Sequence, residues 1–205
     1  MTDRFTTVLA SASPRRRALL EAAGLGFEVR PTHVDESLEE GLDPGCAALE
    51  LAERKANAGA DAWGTEPALV IGSDTIVAVP VEGGWRMLGK PADEAEAAAF
   101  LRLLSGSSHR VVTGVCVLAT PSRTSRADAE VTRVTMRPLT DDEVADYVAS
   151  GEWRDKAGGY AIQESADRFV TDLAGGGFDN VVGLPVERTL KLLGEAAREE
   201  GWPWD

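Results

Sequence analysis

Two serines and three arginines crowd into Ser11-Ala12-Ser13-Pro14-Arg15-Arg16-Arg17, a set of hydroxyl and guanidinium groups suited to phosphate or carboxylate. The stretch sits where a short apolar strand ending at Ala10 meets a helix: Ser13 is a good N-cap, Pro14 suits the first helical position, and Ala18, Leu19, Leu20, Ala22 and Ala23 continue the turn. Unpaired backbone N–H groups and the dipole at such an end favour anions. The plain alternative is a capped helix with a basic first turn, but cations oppose the dipole there. Successive helical residues lie about 100° apart, so the three arginines cannot all face one ligand.

Other residues add to this inventory. Lys55 belongs to the stripe Ala48, Leu51, Ala52, Lys55, Ala56, one face of a helix. It is either a lysine whose stem covers core while its ammonium reaches water, or a cation on a cleft wall. Asp74 interrupts the apolar run Ile71 to Val79, so it needs a metal, a cation, backbone donors or water; an Asx-type turn breaking the strand beside Gly72 and Ser73 is the competing reading. Asp35-Glu36 offers adjacent carboxylates of the kind that hold Mg²⁺ or Mn²⁺. Lys90 stands in a turn between Gly89 and Pro91. In Gly158-Gly159-Tyr160-Ala161-Ile162-Gln163 an aromatic and an amide follow a flexible turn, so Tyr160 could stack on a base and Gln163 read its edge, or Tyr160 could be core and Gln163 surface. No Ser/His/Asp or Cys/His set, Walker A sequence or GxGxxG fingerprint is present.

The elements that must position these residues alternate. Strand-like runs fall at Thr6 to Ala10, Phe27 to Arg30, Ala68 to Val79 with a break near Ser73, Val111 to Ala119, Glu130 to Arg137, and Phe169 to Thr171 with Asn180 to Val182. Helices are expected at Pro44 to Ala60, at Glu94 to Leu104 behind Asp93, after a Thr140/Glu143 capping box, and at Pro185 to Glu200. This is an α/β pattern, and the neighbouring runs 111 to 119 and 130 to 137 predict an antiparallel pair inside a mixed sheet. Gly158-Gly159 and Gly175-Gly176-Gly177 mark tight or mobile loops.

At 205 residues one compact domain, 1–205, is the default. A net charge of −13 disfavours nucleic-acid polymers and anionic membranes as partners, which makes a local basic site more notable. Cys46 and Cys116 form no disulfide framework or zinc pattern, and the cytoplasm is the expected compartment. With His33 and His109 the only histidines, a metal would be held mainly by oxygen. No run approaches the roughly 18 apolar residues of a spanning helix.

Together, Leu9-Ala10-Ser11-Ala12-Ser13-Pro14-Arg15-Arg16, Lys55, Gly72-Ser73-Asp74-Thr75-Ile76-Val77, Gly89-Lys90-Pro91, Gly159-Tyr160-Ala161-Ile162-Gln163 and Asn180-Val181-Val182-Gly183-Leu184-Pro185 resemble the Maf family of nucleotide pyrophosphatases across nearly the whole chain. The resemblance implies an elongated, twisted mixed sheet flanked by helices, with two lobes around a central cleft, similar to inosine triphosphate pyrophosphatases. It implies hydrolysis of nucleoside triphosphates to the monophosphate and pyrophosphate with a divalent cation, Mg²⁺ or Mn²⁺. By motif position Asp74 matches the general base. Arg15, Thr75 and Gln163 match substrate-choice positions, and Ser11, Arg15, Arg16, Lys55 and Lys90 match phosphate contacts. Glu36, with Asp74, matches the metal contact. The Asp74-Thr75 and Tyr160-Ala161-Ile162-Gln163 pattern resembles the dTTP/UTP branch, including modified pyrimidine nucleotides. Glu164-Ser165-Ala166-Asp167 replaces a glycine-containing stretch usual in that family. A homodimer is a further expectation from the relatives. The other readings are a nucleotide-binding regulator of septum formation with little catalysis, and a sugar-phosphate or nucleotidyl transferase.

Overall fold

A computed structural model describes residues 5–39, 41–120 and 122–204. Apolar, β-branched runs form one seven-stranded mixed sheet of order β2-β1-β3-β5-β6-β7, with β4 pairing β3 off this path. The strands are β1 Thr6–Leu9, β2 Glu28–Val29, β3 Ala68–Val81, β4 Gly84–Leu88, β5 Ser108–Thr120, β6 Ser125–Met136 and β7 Val170–Ala174. β1 runs parallel to β2 and β3, while β3 is antiparallel to β4 and β5, β5 to β6, and β6 to β7. The helices are α1 Pro14–Ala22, α2 Pro44–Trp63, α3 Glu94–Leu104, α4 Asp141–Ser150, α5 Phe178–Val182 and α6 Val186–Glu199. Among the described residues no helix is long and apolar enough to cross a membrane.

The first half of β3 is flanked by β1, whose pairing ends at Leu9↔Ile71, and its second half by β4, whose pairing begins at Val77↔Leu88. Between them, residues 72–76 pair with β5 on one side only. The hydrophobic core divides at the same place. Leu69 and Ile71 pack with Leu9, Leu20, Leu184 and Leu193, whereas Val77 and Val79 pack with Leu88, Phe100, Leu101 and Tyr147. Each fully buried leucine contributes about 2 kcal/mol, so both lobes have their own source of stability and the unpaired edge between them is left as a cleft.

Helix α2 covers the opposite face at very short range. A Cβ on Gly72 would lie 2.1 Å from the Ala52 carbonyl oxygen, and one on Gly114 would lie 2.3 Å from that of Ala48. With glycine at both positions and alanine at 48, 52 and 56, the helix backbone rests on the sheet, and Lys55 is delivered onto Asp74.

Three expectations are corrected. The break near Ser73 does not exist: Gly72, Ser73 and Asp74 continue the ladder opposite Cys116, Val115 and Gly114, because Lys55 meets the carboxylate that would otherwise end the strand. Asn180–Val182 is helical, in α5, between Gly177 and Gly183. The strand over Phe27–Arg30 shrinks to Glu28–Val29. Edge strand β4 and its turn at Gly83 were not anticipated. The capped helices are as the local signals predicted: Asp93 accepts from Glu96 N at 2.8 Å, and Thr140 with Glu143 forms a complete capping box.

Candidate active site

The cleft is a cavity of about 440 Å³ at the unpaired edge of β3. Ser11, Arg15, Arg16, Glu36, Lys55, Asp74, Thr75, Lys90 and Gln163 all line it, so the residues matched to base, metal, phosphate and substrate-choice roles come to one place, while Asp35 lies outside it and accepts from Ser37. The route is topological. Segment 10–16 leaves the end of β1, and Gly89-Lys90 leaves the end of β4, so both converge on the gap from opposite sides. Ligands bind outside the carboxyl ends of strands at such switch points.

Ser13 caps α1, accepting from Arg16 N at 3.4 Å, and Ser11 Oγ accepts from Ser13 N at 3.2 Å. Arg16 is the best-held cation. Its Nε donates to the Gly183 carbonyl at 2.8 Å, Nη1 to Ser11 Oγ at 3.3 Å and Nη2 to Thr75 Oγ1 at 3.2 Å. Burial lowers its pKa, Asp74 opposes this, Arg15 adds to the lowering and Glu36 opposes it; a guanidinium remains charged regardless. Arg15 crosses to the other lobe, where Nη2 approaches the Asp155 carbonyl at 3.5 Å. Arg17 turns away and pairs with Glu21 at 2.7 Å.

The Lys55 ammonium stands between two carboxylates, 2.5 Å from Asp74 Oδ1 and 2.8 Å from Glu36 Oε1. The lysine and aspartate side chains are only 12% and 14% exposed, whereas Glu36 is 51% exposed. The Lys55 hydrogen bond holds the Glu36 carboxyl below the usual range against the effect of burial, with the Lys55, Lys90 and Arg16 charges adding to it. Glu36 and Asp74 are hard oxygen donors of the kind that would suit a divalent cation, and here both meet the Lys55 ammonium. Among the described residues no cluster of three or more His, Cys, Asp or Glu offers an all-protein metal cage.

Away from the charged wall, Val77, Val111, Tyr160, Ala161, Ile162, Val181 and Val182 line the cavity, with Gln163 exposed at its margin. The Tyr160 ring belongs to the core: it is 6% exposed and its hydroxyl lies 2.8 Å from His109 Nε2. Its base-stacking reading gives way to a wall residue held from behind. Gly158 and Gly159 make the preceding turn at φ of 70° and 71°, where a Cβ would press on Val77 and Pro91 at 2.9 Å.

Lys156 and the Gly183 carbonyl also belong to the site and were missed. Lys156 precedes the glycine turn and donates to the Glu152 carbonyl at 2.5 Å. Its only sequence signal was proximity to that motif, and a backbone carbonyl has none. With Lys156 counted, five cations and three carboxylates (Glu36, Asp74, Asp155) line the cleft of a chain whose net charge is −13, so the site attracts anions against the field of the whole molecule.

His109, 1% exposed, has its pKa lowered by burial from 6.5 to about 4. Between these values the unfolded chain binds the proton and the folded chain does not, so stability falls as pH drops from about 6.5 towards 4 and is level above. The full loss is about 3 kcal/mol. We expect thermal unfolding followed from pH 7.5 to 4 to show this slope in the wild type, and replacement by glutamine to flatten it across that window.

An α/β scaffold with a cation-lined, apolar-walled cleft at a strand switch point is a nucleotide-binding architecture. The chain belongs to the Maf family: the family model described as Maf-like protein matches residues 6–196. Curated relatives named dTTP/UTP pyrophosphatase include one from Koribacter versatilis, 46% identical over 92% of this chain and 93% of its own, and one from Hyphomonas neptunium, 49% identical over 91% and 93%. Among solved structures, the Staphylococcus aureus Ham1 protein overlaps 95% of this chain and 99% of its own at a TM-score of 0.49 and 15% identity.

Proposed function

We propose that this chain hydrolyses dTTP and UTP to the monophosphate and pyrophosphate. The observation that carries the reading is the Asp74 carboxylate, held by Lys55 at 2.5 Å on the unpaired edge of β3, between a guanidinium cluster at one end of the cleft and an apolar wall at the other. Relatives 43–49% identical over nearly the whole chain are named for that activity.

The triphosphate lies against Ser11, Arg15, Arg16 and Lys90, whose charges stabilise the negative charge that builds up as pyrophosphate leaves. Asp74 accepts the proton of the attacking water, and Lys55 fixes the carboxylate's orientation from the other side. Glu36 and Asp74 would hold a divalent cation, Mg²⁺ or Mn²⁺, which would neutralise phosphate charge and acidify the water. Gln163 and the apolar wall take the base, Arg15 and Gln163 govern substrate choice, and Thr75 acts at the phosphate end through its contact with Arg16.

A pyrophosphate-release screen over normal and modified nucleoside triphosphates, with Mg²⁺ and with Mn²⁺, tests this. The expected result is a monophosphate plus pyrophosphate, fastest with dTTP or UTP and lost with a chelator. Tight nucleotide binding without turnover would instead make the chain a regulator, and a nucleotidyl conjugate would make it a transferase.

A further inference from the structure

We propose that Thr113, buried in the middle of β5 and outside the cleft lining, is a positioning residue for Arg16 that acts through Thr75. The proposal rests on Arg16 being a phosphate-binding group. Thr113 and Thr75 are direct partners across the β3–β5 ladder, and Thr113 is 0% exposed. Its Oγ1 lies 2.9 Å from the Asn180 carbonyl and 3.0 Å from Thr75 Oγ1. Arg16 Nη2 lies 3.2 Å from the other side of that Thr75 oxygen.

The directions of these bonds follow from what each group can do. A carbonyl only accepts, so the single Thr113 proton goes to Asn180. The Thr75 proton then goes to Thr113 Oγ1 at 3.0 Å, the nearer of its two acceptors, the Gly183 carbonyl lying at 3.5 Å. A guanidinium only donates, so Thr75 meets Arg16 as an acceptor. The result is a chain running one way, from Arg16 to Thr75 to Thr113 to the Asn180 carbonyl, in which each bond polarises the next. Asn180 is fixed in turn, 0% exposed, with its amide donating to the Val111 carbonyl at 3.2 Å and to Thr132 Oγ1 at 2.8 Å. Because its one proton is committed inward, Thr75 has none to offer a base. Its influence on substrate is exerted on the phosphate end, through the guanidinium.

Inorganic pyrophosphate carries no base and so separates the two roles. We expect Thr113→Val and Thr75→Val to weaken pyrophosphate binding by roughly tenfold in calorimetry and to raise KM for UTP by a similar factor. The rate ratio between UTP and other nucleoside triphosphates stays within about twofold. Thr113→Ser and Thr75→Ser, which keep the hydroxyl, restore both values; a merely structural role would lower Tm without moving affinity at a temperature where the variants are folded. If Thr113→Val does not fold, Thr75→Val carries the test. A folded valine variant that binds pyrophosphate like the wild type overturns the proposal, as does a Thr75→Val enzyme that changes base preference alone. Arg16→Lys separates the levels. Unchanged pyrophosphate binding there removes the phosphate role of Arg16 and the proposal with it, whereas weakened binding there but not in the valine variants sinks only the chain.

Discussion

Asp74→Asn is expected to cut pyrophosphate release from UTP by roughly a thousandfold, within the range that removing a positioned general base produces. The substitution keeps the side chain's shape and leaves Glu36 beside the Lys55 ammonium, 2.8 Å away, so the cation keeps a partner. It removes the charge that could accept a proton. The strand register is carried by backbone pairing with β5 from Ala68 to Ala78, so circular dichroism and the shape of the thermal transition should remain those of the wild type. Turnover near the wild-type rate in a folded Asp74→Asn protein would dismiss Asp74 as the base. The cation cluster would then be binding nucleotide for another chemistry.

Gly72→Ala should produce the largest loss of stability of any methyl-sized change at the site. The new Cβ would lie 2.1 Å from the Ala52 carbonyl oxygen, 2.4 Å from Ala56 N and 2.9 Å from Ala56 Cα. These are backbone atoms of α2, so no side chain can rotate away and helix and sheet must separate. Overpacking of this kind costs about 3 kcal/mol, a fall in Tm of about 10 °C for a chain of this size. Activity should fall with it, because α2 carries Lys55 and lifting the helix opens the 2.5 Å contact with Asp74. Gly26→Ala is the control: nothing lies within 4 Å of its Cβ, so Tm should stay within about 2 °C. Equal melting temperatures for the two variants would show that α2 does not rest on Gly72.

What could be read in advance follows the range of the forces involved. The starts of α3 and α4 were legible because their caps are satisfied within four residues, as in the Thr140 and Glu143 box. Long apolar β5 was legible for the same local reason. The supposed break at Ser73 failed because the partner that makes Asp74 tolerable in a strand, Lys55, is nineteen residues away in sequence. The helix at 178–182 failed because Val181-Val182 reads as strand until Asp179 is seen accepting from Asn180 N and Val186 N. β4 is an edge strand with one buried residue, Leu88, and so gave little apolar signal.

The residue types were enough to name the chemistry: guanidiniums and hydroxyls at a helix start for phosphate, carboxylates for a proton or hard cation, and an amide beside apolar residues for a base. Side-chain chemistry is intrinsic and travels with the sequence. What each group holds in the folded protein was a tertiary matter. The fold placed Lys55 between Glu36 and Asp74, made Arg16 rather than Arg15 the most firmly bound guanidinium, and put Tyr160 in the core against His109. It also turned the Thr75 hydroxyl inward. Those outcomes depend on a strand that changes partners between Ile71 and Val77 and on a helix resting on Gly72 and Gly114. Such pairings arise between segments distant along the chain, where packing and burial, rather than local propensity, select among the partners that the chemistry allows.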